Sequence, residues 1–175
     1  MTKLKGIFIN GTSSAGKTTI ARRLQVLLPT PSVYMSIDTF LEMMPFEFLD
    51  CPEIDGITTH CDRLIIGFQK CILSMTDEGN FVIVDHVVQE PHWLAHLEEN
   101  AVLDGLYKIG VFCDIEVVER REIARGDRPI GLARLQYERV HLGIAYDMEI
   151  DTSNDPKGSK IDAIAMNIIR RIGQS

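Results

Sequence analysis

Two rhythms of apolar residues alternate along this 175-residue chain. Short runs, apolar over most of their length, lie at Leu4–Asn10, Val33–Ile37, Phe81–Asp85 and Leu106–Cys113, with a weaker one at Ala145–Asp151. Each has the length of a strand, and the apolar stretches are long enough to be buried on both faces. Between them the spacing becomes helical: Ile20, Leu24, Leu27 and Leu28 within Gly16–Leu28, then Leu64, Phe68, Cys71 and Met75 within His60–Met75. Pro91–Glu99, Ile115–Arg125 and Gly131–His141 read as further helices. Ile161, Ile164, Ala165, Ile168, Ile169 and Ile172 form the apolar face of a last one.

The punctuation agrees. Pro29 and Pro31 end the first helix, Pro91 occupies a first turn, and Gly126 breaks the charged helix. Ser159 with Asp162 has the spacing of a capping box. Thr39–Met44 reads as a helical turn before Pro45, and Phe46–Thr59, with Pro52 and Gly56, as irregular. Strands alternating with helices predict a parallel sheet covered on both faces, an α/β architecture. Ligands of such sheets gather beyond the carboxyl ends of the strands.

That rule gives meaning to Gly11-Thr12-Ser13-Ser14-Ala15-Gly16-Lys17-Thr18, which fits G-x-x-x-x-G-K-[ST] between the first strand and the first helix. Backbone N–H groups converge there on nucleotide phosphates, reinforced by the helix dipole. Gly11–Thr19 is thus the expected nucleotide-binding loop. Lys17 is expected to reach the β- and γ-phosphates, and the Thr18 hydroxyl to ligate Mg²⁺.

Asp38 and Asp85 each follow a strand, so both are expected on the same sheet edge. Asp85, beside the loop strand, is assigned to the metal. Asp38, ahead of an irregular segment, is assigned as the base that accepts a hydroxyl proton. His86 either orients a substrate or water, or is a polar loop residue. Arg125 and Arg128 flank the break at Gly126, where a mobile lid would bring guanidinium groups over a transferring phosphoryl group. Arg120 and Arg121 read equally as phosphate ligands or as part of a solvated helical face.

Other candidates read as structural. His92 and His96 have metal-ligand spacing but no third ligand, and Trp93 reads as core. Met35, Met43, Met44 and Met75 either line an adaptable apolar pocket or pack in the core. The cysteines at 51, 61, 71 and 113 form no C-x-x-C pair, which argues against a zinc ribbon or a dithiol redox site.

Composition narrows the partners. Hydrophobic residues are 45% and charged residues 25% of the chain, ordinary for one globular domain. The net charge of −7 argues against a general nucleic-acid binder. No run is apolar enough to cross a bilayer, and the N-terminus lacks a secretory pattern, so the expectation is a cytoplasmic protein with reduced thiols. A GTPase switch would carry N-K-x-D, and none occurs. Met43–Thr59 has no Lys or Arg, which argues against a phosphorylated acceptor at that site. A nucleoside or nucleotide kinase and a nucleotide-dependent switch remain as alternatives to a small-molecule kinase.

At these residues the chain resembles the chloramphenicol phosphotransferase family of P-loop kinases. The segments that carry the likeness are Asn10–Lys17, Ile37-Asp38-Thr39 with Glu42 to Pro45, Val82–Asp85 and, most specifically, Arg121–Arg128, continuing to His141, Tyr146-Asp147 and Glu149–Thr152. The resemblance implies a single kinase domain over residues 1–175, with a lid near 120–135 and a variable acceptor segment near 40–62. It implies a three-layer P-loop NTPase fold of the nucleotide-kinase type, its five-stranded parallel sheet in the order 2-3-1-4-5. It implies phosphorylation by ATP, with Mg²⁺, of a hydroxyl on a small molecule. Asp38 takes the place of the family's catalytic aspartate, and Arg125 and Arg128 those of its lid arginines. The chain departs at His86, where the family usually has a second Asp, and in the region between Pro45 and Leu64.

Overall fold

The structure, a computed structural model, describes residues 4–44, 59–126, 130–154 and 160–173. Five strands run β1 (Gly6–Asn10), β2 (Ser32–Ser36), β3 (Phe81–His86), β4 (Leu106–Phe112) and β5 (Met148–Asp151). The helices are α1 (Lys17–Leu27), α2 (Ile37–Leu41), α3 (Thr59–Asp77), α4 (Pro91–Glu99), α5 (Ile115–Arg125), α6 (Leu132–Tyr137) and α7 (Ile161–Ile172). All strand pairs are parallel, in the order β2-β3-β1-β4-β5, as the resemblance implied.

Alternation along the buried strands builds two cores. Ile7, Ile9, Ile83, Ile109 and Val111 pack on one face with Ile20 and Leu24 of α1 and Ala165 and Ile168 of α7. Phe8, Val82 and Val84 pack on the other with Ile65, Phe68 and Ile72 of α3 and Trp93 and Leu97 of α4. Strand register aligns Asn10 with His86 and Gly110, and Asp85 with Ser36, so the carboxyl ends form one edge. β1 lies at the centre of the sheet, which puts the loop after it at the middle of that edge.

Several boundaries differ from the sequence reading. The second strand stops at Ser36, whose hydroxyl caps α2 by accepting from the Asp38 N–H (3.3 Å). Ile37 and Asp38 therefore lie in a helical first turn, not at a strand end, and the turn expected at Thr39–Met44 begins two residues early. The helix expected over Gly131–His141 extends only from Leu132 to Tyr137. Of the expected capping box, Ser159 lies outside the described residues, and the Asp162 carboxylate binds Arg23 bidentately (2.6 and 2.8 Å). Met35 is buried, but Met43 and Met75 are exposed, so those four methionines line no common pocket. Most of the 40–62 acceptor segment lies outside the described residues, with Cys51. Cys61, Cys71 and Cys113 form no disulfide with one another. Among the described residues no helix is long and apolar enough to cross a membrane.

Candidate active site

The chain turns sharply between β1 and α1. Gly16, the α1 N-cap, has φ +99°, and Ser14 has φ +61°, a left-handed conformation costing a non-glycine residue about 1–3 kcal/mol. Such strain marks a loop over-determined by its surroundings. Gly11 shows one reason: a Cβ there would lie 2.4 Å from the Val111 carbonyl oxygen, so only glycine lets the loop pass β4.

A cleft of about 460 Å³ opens above the loop. Ser13 to Thr19 line it; Gly11 and Thr12 are buried and support the loop without lining the cleft. Asp38 enters from the β2 side of the sheet, whereas Ile161 and Ile164 enter from α7, which packs on α1. Arg121, Ala124 and Arg125 of α5 and Leu132 and Gln136 of α6 complete the wall. The structure thus brings Lys17, Thr18, Asp38 and Arg125 to one cavity. Arg128 lies outside the described residues.

Asp85 occupies the penultimate position of β3 and shares the face of Ile83, toward α1. Its Oδ2 accepts from the Thr18 hydroxyl (2.7 Å) and from the Tyr34 hydroxyl (3.0 Å). Its Oδ1 lies 3.9 Å from Lys17 Nζ, which donates to the Thr12 carbonyl (2.9 Å). Lys17 and Asp85 are both buried, so the pair is a built part of the fold rather than a surface ion pair. Burial and the Asp85 charge push the Tyr34 hydroxyl above its usual range and keep it a donor. The Arg22 guanidinium stacks over the Tyr34 ring at 3.7 Å. Thr18 and Asp85 together offer the hard oxygens that suit Mg²⁺. The buried Ser14 hydroxyl, which lines the cleft without a hydrogen-bond partner among the described residues, suits a further oxyanion ligand.

His86 is neither a substrate ligand nor a loop residue. The same alternation that aims Asp85 at α1 turns His86 to the opposite face. There it is fully buried between Phe8 and Phe68, accepting from the Val87 N–H at Nδ1 (2.8 Å). Burial holds it neutral, its pKa lowered to about 3. His92 contacts Asp62, and His96 contacts Gln69; among the described residues no metal-binding cluster forms. Trp93 is core, as the sequence reading had it.

Long-range contacts hold the loop from above. Arg121 donates to the Thr152 carbonyl (2.7 Å), the Thr152 hydroxyl (3.2 Å) and the Ser14 carbonyl (3.4 Å), while the Thr152 hydroxyl donates to the Ala15 carbonyl (2.7 Å). Glu122, buried beside Arg121, accepts from the Gly131 and Ala133 N–H groups (2.7 and 2.8 Å) and so fixes the start of α6. α6 in turn meets the loop: Thr12 Oγ1 donates to the Ala133 carbonyl (3.0 Å), and Ser13 N–H donates to Gln136 Oε1 (2.8 Å). Asn10 accepts from Val88 N–H (2.8 Å) and donates to the Val140 carbonyl (2.6 Å) and Tyr146 hydroxyl (2.8 Å). That hydroxyl contacts His141 Nδ1 (2.8 Å). Burial and Lys17 lower the His141 pKa to about 4, and burial raises Tyr146 to about 12, so the contact joins a neutral ring to a protonated hydroxyl. Thr152, Gln136 and Tyr34 escaped the sequence reading as site residues, whereas Arg121 was weighed evenly between phosphate ligand and solvated face and Asn10 entered only with the segment Asn10–Lys17. The only signals were the segments continuing beyond Arg121 to Tyr146 and Thr152.

Comparison with known proteins agrees with this geometry. Residues 5–169 match the family described as chloramphenicol phosphotransferase-like protein, and the chain belongs to that family. Two Mycobacterium tuberculosis relatives, each named Putative O-phosphotransferase, are 32% identical over 174 residues, covering 87% of this chain and 76% of theirs. Among solved structures, the M. tuberculosis APS kinase CysC in complex with AMPPNP and APS superposes with a TM-score of 0.71 at 14% identity, over 99% of each chain. A gluconokinase from Sinorhizobium meliloti superposes at 0.70 and 17% identity, over 98% of this chain and 95% of that one. The fold is that of P-loop kinases, and the protein is a kinase-type phosphotransferase.

Proposed function

We propose that this member of the chloramphenicol phosphotransferase-like family transfers the γ-phosphoryl group of ATP to a hydroxyl of an uncharged small molecule. The observation that carries this reading is the single cleft shared by the phosphate loop and Asp38, with Asp85 bonded to the loop from below. Ile161 and Ile164 of α7 and Ala124 of α5 give one part of the cleft an apolar wall suited to a base, leaving the β2 side, where Asp38 stands, for the acceptor. Asp38 accepts the hydroxyl proton as the acceptor oxygen attacks phosphorus and the bond to the ADP oxygen breaks. Thr18 and Asp85 would hold Mg²⁺, which supplies charge neutralisation at the phosphates. Lys17 and Arg125 carry cationic groups to the same place, where positioning and charge neutralisation dominate catalysis.

The test is ADP release with MgATP across a panel of uncharged alcohols, chloramphenicol included, alongside calorimetry of MgATP binding. Turnover stimulated by at least one alcohol is expected. A protein that takes up no purine nucleotide overturns the reading. ATP uptake with stimulation only by phosphorylated acceptors transfers it to nucleotide kinases.

A further inference from the structure

Gln136 occupies the loop in a way that no local motif announces. Its side chain is buried, and its Oε1 receives Ser13 N–H at 2.8 Å and lies 3.4 Å from Thr12 Oγ1. The two loop limbs differ in what they offer. Gly16, Lys17 and Thr18 present the helix N-terminus. Thr12 and Ser13 form the opposite limb, where the Lys17 ammonium sits 2.9 Å from the Thr12 carbonyl. A P-loop lysine serves the β- and γ-phosphates, so the Thr12–Ser13 limb is the γ end of the site.

We infer that Gln136 is the γ-phosphate-sensing side chain of α6: its amide trades Ser13 N–H for a γ-phosphoryl oxygen, so the lid helix registers ATP but not ADP. This deepens the proposed function and rests on it. The exchange follows from acceptor strength. A phosphoryl oxygen is anionic, and hydrogen bonds to it are roughly twice as strong as those to a neutral amide oxygen. It therefore displaces Oε1 from Ser13 N–H. The displaced carboxamide still carries two N–H donors on the same short side chain, within reach of the oxygen that displaced it. No bond is made or broken in this step beyond hydrogen bonds.

The consequence for the lid is direct. α6 is fastened to the loop by Ser13–Gln136 and Thr12–Ala133, and to α5 by Glu122. α5 carries Arg121 and Arg125 into the cleft. A change at Gln136 is thus one helix away from both arginines.

Calorimetry of MgADP and of Mg²⁺ with the non-hydrolysable analogue AMPPNP, on wild type, Gln136→Glu and Gln136→Met, tests the inference. Glutamate keeps the acceptor for Ser13 N–H but repels the γ-phosphate; methionine keeps the shape and loses the donors. AMPPNP affinity should fall about ten- to a hundredfold in both, the scale of a lost hydrogen bond to a charged group. ADP affinity should change less than about threefold. Backbone amide exchange in α6 should differ between the AMPPNP and ADP complexes of wild type. Equal loss of both nucleotides, or unchanged affinity for both, overturns the inference while leaving the kinase reading standing. Wild type that binds neither nucleotide removes the kinase reading itself.

Discussion

The two flanks of the cleft are built differently. On the phosphate flank, Lys17 and Asp85 are buried, and Asp85 is held by Thr18 and Tyr34. Thr152, Arg121 and Gln136 brace the loop from three separate segments, and Asn10, just before it, is tied to Val88. On the acceptor flank, Asp38 sits half-buried on a helix of five residues, its backbone N–H capped by Ser36. Groups that must face a triphosphate gain from being fixed in advance, because reorganisation during the reaction raises the barrier. In the proposed function the group that meets the acceptor stands on a short element, where changes of substrate disturb the core least. One flank is fixed by contacts from distant segments, the other by a local cap on a short helix.

Substitutions should separate the two. Asp38→Asn is expected to lower kcat about 10²–10⁴-fold, the range of general-base catalysis, with ATP affinity within about twofold of wild type. Parallel loss of kcat and ATP affinity would place Asp38 on the phosphate flank and erase the contrast. Arg121→Lys, which cannot serve Ser14 and Thr152 together, should cost about 1–3 kcal/mol in urea denaturation and weaken ATP and ADP alike. Unchanged stability with a fall confined to kcat would make Arg121 a phosphoryl ligand and not a brace.

The smallest effect concerns pH. His141 stacks on Phe112 and contacts Tyr146, and burial, then the Lys17 charge, lowers its pKa to about 4. The unfolded chain, with an ordinary pKa near 6.5, binds the proton first, so stability is full above about pH 6.5 and falls as pH drops toward 4. His141→Phe keeps the stacking and should flatten that fall by at most about 1 kcal/mol per pH unit, solvent screening trimming the full linkage slope. Denaturation midpoints at pH 4.5 and 7 measure it; an unchanged slope would show that the phosphate flank's bracing does not depend on a neutral ring.

How far the chain could be read depends on range. The strands, most helices, the loop at Gly11–Thr18 and the nearness of Asp85 follow from neighbouring residues and the period of the apolar pattern. His86 shows the limit even there. It adjoins Asp85, yet the period-two alternation of β3 sends it into the opposite core against Phe68. Asp38 was found but misplaced, because the Ser36 cap turns a strand end into a helix start. Arg121, in a run of charges, read equally as a phosphate ligand or a solvated face, and neither reading named Thr152, the partner it binds.

Sequence by itself determined the sheet-and-helix alternation, the phosphate loop and the chemistry its lysine and threonine can do. These are written in local backbone preference, side-chain period and residue type. Tertiary structure alone decided which polar residues hold that loop in shape. Gln136 is more than a hundred residues from Ser13 (123), and Thr152 from Ala15 (137). Contacts across such separations exist only after the sheet has aligned its carboxyl ends and the hydrophobic cores have fixed α5 and α6 above them.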